Sequence, residues 1–348
     1  MNEPAHRRLP RPMPRLLLAL VVSSASLAAA GQAWAWGATG HRLIGRVAVE
    51  TLPDEVPAFV RAKASIDDVG ELAREPDRDK GTGDPHDNDL NGAHFVDADD
   101  QGRVGGGPAL ADLPPTRAAY EAALRAVGTD GYQQGYLPYS IAEGWQQLVK
   151  DFAYWRVDNW AAHHARSDAD RRWFARDLSL RERLTVRDLG YWAHFVGDGS
   201  QPLHVSLHFN GWGPYPNPKG YTTERVHAPF EGAFVRANVS EAQVLAAVRP
   251  FDDCHCSIQR RTAAYLSHTL SQVEPFYVLQ KAGGFSGADS RGAAFAAAQL
   301  AAGASELRDM VVEAWRASAT MSVGYPAILP ADVEAGRVDP FGPLAGED

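Results

Sequence analysis

The chemistry-bearing residues of this 348-residue chain concentrate in Leu189 to His204, LGYWAHFVGDGSQPLH. His194 and Asp198 are four residues apart, so on a helix they project from one face and can meet one cation. His204 follows just beyond a Gly-Ser-Gln-Pro break, and His227 with Glu231 in VHAPFE repeats the four-residue spacing. Imidazole with carboxylate suits zinc, and two such pairs in a helical protein point to a metal site built between helices. One pair alone is more often a surface pair or a satisfied core histidine. Two pairs together with His204 favour the metal.

Two further segments add donors. In Trp36-Gly-Ala-Thr-Gly-His41, a Trp36 freed by processing would offer its α-amine and carbonyl oxygen as a five-membered chelate, with His41 reaching the same ion. His94-Phe95-Val96-Asp97 supplies another histidine beside an acidic loop that contains Glu75-Pro76-Asp77-Arg78.

The elements that must position these residues read as helices. Leu43, Ile44, Val47 and Ala48 recur at three- and four-residue intervals, as do Ala118, Tyr120, Ala123 and Leu124, and Ile141, Trp145, Leu148, Phe152 and Trp155. Strand-like alternation is scarce. The spacing predicts one long helix from Arg291 to Ala317, another from Tyr265 to Leu279 kinked at Pro275, and a short one from Ser240 to Val248 capped by Ser240. Glu75 to Gly92, Gln101 to Pro115 and Asn210 to Thr222 read as irregular stretches, and the tail after Gly324 as a Pro-rich wrap or loose end. The expected fold is all-α, one helical-bundle domain over residues 36–348, with 324–348 a possible loose tail.

Residues 1–35 read as a signal peptide: Arg7, Arg8, Arg11 and Arg15 precede the apolar run Leu16 to Ala30, and Ala33-Trp34-Ala35 fits the small-x-small cleavage rule. Cleavage after Ala35 would make Trp36 the first residue of an exported chain, secreted or periplasmic. The formal charge is −9, and removing four arginines and one glutamate with the signal leaves −12. That charge disfavours a broad electrostatic grip on a nucleic-acid duplex, though not a local positive site. No later run is long and apolar enough to suggest a membrane span. Cys254 and Cys256, separated only by His255, read as a local disulfide or two inert thiols rather than a disulfide framework.

WGATGH, EPDR followed by HFVDAD, HFVGDGSQPLH and HAPFE, in that order, resemble the superfamily of zinc-dependent phospholipases C and single-strand-specific zinc nucleases of the S-one/P-one type. The match spans Trp36 to Glu231. The resemblance implies a helical bundle holding three zinc ions: one by Asp77, His94, His194 and Asp198, a second by His204, His227 and Glu231, a third by the amine and carbonyl of Trp36 with His41 and a bridging Asp198. Asp79, Asp84, Asp87 and Asp89 crowd the same loop as Asp77; its place in EPDR favours Asp77. Zinc lowers the pKa of bound water from 15.7 towards about 7, so a metal-bound hydroxide would attack a phosphodiester in line. Asp77 would orient or deprotonate that water. Lys80 or Arg78 would stabilise phosphoryl charge where the resembling nucleases use an arginine, or Lys80 is a solvated loop residue.

The substrate signals divide. Glu231 at the last ligand position resembles the phospholipases, whereas the long interval from His204 to His227 resembles the nucleases. Phe95 and Asp97 match positions that contact a base, but the phospholipases carry a similar segment, and the pair would equally serve as a core aromatic and an acid supporting His94. Trp212, Tyr215 and Tyr221 would touch a membrane interface or enclose a choline-like head group, stack on unpaired bases, or pin their loop to the core. The expected enzyme is a monomeric phospholipase C acting on phosphatidylcholine-like lipids. The alternatives are a single-strand-specific endonuclease and 3'-nucleotidase cleaving DNA and RNA, and a secreted protein that binds zinc without catalysis. His208 falls close enough in sequence to support a ligand.

Overall fold

In the computed structural model, residues 36–83, 85–287 and 289–345 are described. The apolar residues spaced at three and four intervals in the first segment lie on one side of helix α1, Ala38–Glu50, where Leu43, Ile44, Val47 and Ala48 are buried. Helix α2, Lys63–Leu72, packs on α1. The longest elements are α3, Leu137–His164, and α4, Asp168–Asp198. Pro138 sits in the first turn of α3, where its missing N–H costs nothing. The Ser167 hydroxyl caps α4 by accepting the Asp170 N–H at 3.0 Å, with Asp168 and Asp170 complementing the positive helix end. The short connection makes α3 and α4 neighbours along their lengths.

Helix α5, Ile258–Leu270, and helix α6, Ser290–Ser318, complete the bundle, and α6 packs against α1, α3 and α4. Small residues of α6, Ala296, Ala297, Ala301 and Ala304, are buried there and bring it close to its neighbours. The core runs between these helices through Ile44, Val47, Leu189, Val196, Leu300, Leu307 and Met310. Among the described residues there are isolated β-bridges and no named strand, so the all-α expectation stands. No described helix is long and apolar enough to cross a membrane.

Several local expectations change. The segment read as one helix kinked at Pro275 is two helices, α5 and Val273–Lys281, separated at Ser271 and Gln272. Pro275 lies in the first turn of the second, where no intrahelical bond is lost. The stretch read as irregular from Glu75 to Gly92 contains two short helices, Glu75–Asp79 and His86–Asn91; Pro76 and the acids Glu75 and Asp77 suit a first turn. The Ser240 cap is present as a capping box with Gln243. After Gly324 the chain wraps: Val323 and Val333 pack with Ala153 and Val157 of α3, and Arg156 donates to Glu334 at 3.0 Å. Cys254 and Cys256 form a disulfide. The expected signal peptide and its cleavage after Ala35 fall outside the described residues.

Candidate metal centre

Helices α1 and α4, the short helix Glu75–Asp79, two turns and a further helical segment bring the chelating residues together. His194 and Asp198 occupy the last turns of α4, fully buried. Gly197 lies between them because α1 crosses here: a Cβ on it would stand 3.0 Å from Nδ1 of His41. His94 ends the turn Gly92–His94 and His204 ends the turn Pro202–His204. These turns are stitched together, since the Val96 N–H donates to the His204 carbonyl at 2.8 Å and His204 Nδ1 to the His94 carbonyl at 2.7 Å. His227 and Glu231 lie on a helical segment, 227–238, that contains a wide π-helical turn over Pro229–Phe234. Trp36 is buried against Phe230, its indole N–H donating to Ser200 Oγ at 2.9 Å.

Three buried groups result, each with one donor atom per residue within 4.8 Å of the others: His41, His194 and Asp198; Asp77, His94 and His194; His204, His227 and Glu231. Asp198 lies at the middle. Its carboxylate is 3.1 Å from His94 Nδ1, 3.3 Å from His194 Nε2, and 3.5 Å from both His41 Nε2 and His204 Nδ1. Asp77 Oδ1 stands 3.9 Å from His194 Nε2, and Glu231 Oε2 stands 2.8 Å from His227 Nε2 and 3.8 Å from His204 Nε2. The choice of Asp77 within its crowded loop is supported by Asp79, whose carboxylate is taken by the Tyr191 hydroxyl at 2.7 Å. Asp84 and the Asp87 side chain lie outside the described residues.

The carboxylates of the cluster are held ionised. Burial alone would push Asp198 up, but His194 and His204 hold it well below the usual carboxylate range. Burial likewise opposes ionisation of Asp77 and Glu231, and their neighbours win: His194 and Lys80 at Asp77, His227 and His204 at Glu231. Burial drives His41 far down, and burial with Lys80 pulls His94 down to about 4, so both imidazoles are neutral at pH 7. His194 and His204 go the other way: burial lowers them and Asp198 more than restores them. His194 donates from Nδ1 to the Ala73 carbonyl at 2.8 Å, so its Nε2 faces the cluster in a fixed orientation.

The donor set fits a cation. Both ring nitrogens of His41, Nδ1 of His227, Nε2 of His204, Oδ1 of Asp198 and Oε1 of Glu231 are buried with no hydrogen-bond partner. Each such orphan costs about 1–3 kcal/mol. Their concentration at one place, among imidazoles and three carboxylates, is the pattern of a site completed by positive ions. The nitrogen and oxygen donors fit zinc.

A cavity of about 440 Å³ opens over this cluster, with Lys80, His94, His204 and His227 lining it. Lys80 is buried and donates to Asp77 Oδ1 at 2.8 Å. Arg78 is half exposed and pairs with Glu75, outside the cavity. Phe95 and Asp97 line the walls, and burial, opposed by His204, raises the Asp97 carboxyl to about 7. Gly135 carries φ of 76° and shapes this wall, since a Cβ there would collide with the Phe95 carbonyl. Sequence reasoning missed Asn91, Tyr132, Gln133 and Phe209, which also line the cavity. Tyr132 and Phe209 are isolated aromatics in short non-periodic segments; only their exposure, about half, marks them.

Trp212 and Tyr215 are not brought to this cavity. Trp212 is buried, stacked on His208 at 3.8 Å and packed on Tyr221 and Tyr277. Tyr215 meets His208 edge-on. Trp212 and Tyr221 therefore pin their loop to the core, with His208 bonded to the Trp212 carbonyl and to Asp100 at 3.0 Å rather than to a ligand. Compared with known proteins, the chain matches no family model and no curated sequence.

Proposed function

We propose that the protein is a zinc-dependent hydrolase of phosphoric ester bonds, acting as a phospholipase C on choline-type phospholipids. The observation that carries this reading is the convergence of orphaned buried nitrogens and oxygens from His41, Asp198, His204, His227 and Glu231 beneath a cavity that also holds Lys80. Asp77, His94, His194 and Asp198 would hold one ion, His204, His227 and Glu231 a second, and His41, Asp198 and the Trp36 amine and carbonyl a third. When bound, zinc supplies Lewis acidity towards phosphoryl oxygens and acidifies water at neutral pH.

The chain's own groups divide the remaining work. Lys80, fixed by Asp77, places an ammonium in the cavity where phosphoryl charge would develop. Asp77, ionised, is the acceptor able to orient an attacking water. A structural zinc site closes with four protein ligands, whereas His204, His227 and Glu231 supply three beside an open cavity, which supports catalysis over mere scaffolding.

For the lipid, support comes from Phe95, Tyr132 and Phe209 around the cavity, rings suited to a quaternary ammonium and to an interface, and from the acidic chain. A second reading, cleavage of single-stranded nucleic acid, is favoured by Asn91, Gln133 and Asp97 beside Phe95, which could bond the edge of a stacked base. The export signal extends the reading to a secreted or periplasmic monomer. The test is turnover of phosphatidylcholine vesicles and single-stranded DNA by one zinc-loaded sample. Faster release of phosphocholine supports the lipid reading, cleavage of DNA alone replaces it with the second, and turnover of neither overturns both.

A further inference from the structure

The two cysteines lie apart from the metal ligands in sequence and in function. Cys254 and Cys256 are joined across a single residue, with Cα atoms 5.2 Å apart. His255 between them has φ of 48°, and among the described residues no other non-glycine backbone is left-handed. A ring this small removes little freedom from the unfolded chain, so the bridge adds little stability. The loop is held by other means: the Cys254 N–H donates to Glu313 at 3.2 Å, and Arg261 donates to the Asp252 carbonyl at 3.1 Å. Both cysteines are partly exposed, and the His255 side chain is 84% exposed. Accessible bridges in tight backbone are the exchangeable ones.

The surroundings of the two sulfurs differ. Cys256 directly precedes Ser257, the N-cap of the 13-residue helix α5, so a thiolate there meets the positive helix end. Cys254 follows Asp252 and Asp253 in the chain and begins no helix; its backbone N–H meets Glu313, whose charge Arg261 balances as Arg316 balances that of Asp253. We infer that Cys254–Cys256 is a thiol–disulfide exchange site that oxidises dithiol clients. A client thiolate attacks Cys254 Sγ; the client S–Sγ bond forms as the Cys254–Cys256 bond breaks, and the electron pair leaves on Cys256. The client's second thiolate then attacks the client sulfur of the mixed disulfide, closing the client's own bridge and expelling Cys254 as a thiolate. Two electrons and two protons pass from the client to the chain. This site is independent of the hydrolase reading.

Three measurements on the full chain test it. In the first, the chain is equilibrated with glutathione mixtures, alkylated and weighed intact. The pair should be half reduced while oxidised glutathione is still present in quantity; a bridge that stays closed in a hundredfold excess of reduced over oxidised glutathione overturns the inference. In the second, Cys254→Ser and Cys256→Ser are compared at pH 7. With a thiolate favoured at the helix end, Cys256 should alkylate about threefold faster than Cys254. Equal or reversed rates, in variants that keep wild-type helicity, overturn the assigned polarity. Mixing the oxidised chain with a reduced, denatured two-thiol protein should consume two client thiols per chain, and client thiols left intact refute the activity.

Discussion

Replacing Lys80 by Met keeps an apolar stem of similar length and removes the ammonium from the cavity. Lys80 and Asp77 are 8% and 6% exposed and joined at 2.8 Å, so in metal-free protein the change leaves the buried carboxylate with His194 alone, at a cost of about 3 kcal/mol, the low end for breaking a buried pair. In zinc-loaded protein the ion itself partners Asp77, and the same change should cost under about 1 kcal/mol, the range of a pair no longer alone with its partner. Catalysis behaves differently. An ammonium about 4 Å from developing phosphoryl charge is worth about 4 kcal/mol at an effective dielectric of 20, so kcat should fall by about 10²–10³, as for loss of one preorganised donor. Steady-state hydrolysis of bis(p-nitrophenyl) phosphate and urea midpoints in both metal states measure the two effects, with Lys80→Arg expected to restore part of kcat. A kcat within about threefold of wild type, together with equal destabilisation in both metal states, would reduce Lys80 to a structural partner of Asp77.

Asp158 on α3 is fully buried with both carboxylate oxygens unpartnered, and burial with Asp177 raises it to about 8. The native chain holds a proton that the unfolded chain releases above pH ~4, so stability should fall as pH rises from about 4 to 8. Asp158→Asn should therefore add about 2–4 kcal/mol at pH 8 and nearly nothing at pH 4 by urea denaturation; a gain independent of pH would refute the assignment. Gly135→Ala forces a side chain onto φ of 76° against the Phe95 carbonyl, and should cost about 2 kcal/mol or more. It should also raise KM by displacing Phe95, which steady-state kinetics would detect; unchanged stability and KM would show that the wall relaxes freely.

Much of the centre was legible because its donors obey helical spacing. His194 with Asp198 on α4, and His227 with Glu231 on the segment at 227–238, meet as a four-residue interval requires. His41 was legible only through its motif, since nothing in its spacing says that α1 crosses α4 at Gly197. The cavity walls were not legible: Tyr132 and Phe209 stand alone in short segments, and their closeness arises from tertiary folding. Trp212 shows the opposite failure. An aromatic among glycines and prolines resembles a recognition loop, yet stacking on His208 makes it a buried anchor. The break at Ser271 and Gln272 was also hidden, because the apolar positions of α5 and of Val273–Lys281 fall close to one continuous period.

The most direct test is the metal content of the chain beginning at Trp36, measured by plasma mass spectrometry after purification from zinc-supplied cells. The account predicts about three zinc ions per chain, with about one lost in Glu231→Ala while far-UV circular dichroism is unchanged, and phosphodiesterase activity that disappears on chelation and returns with zinc. A chain that hydrolyses phosphodiesters with no tightly held metal, or whose metal content is untouched by Glu231→Ala, would contradict it.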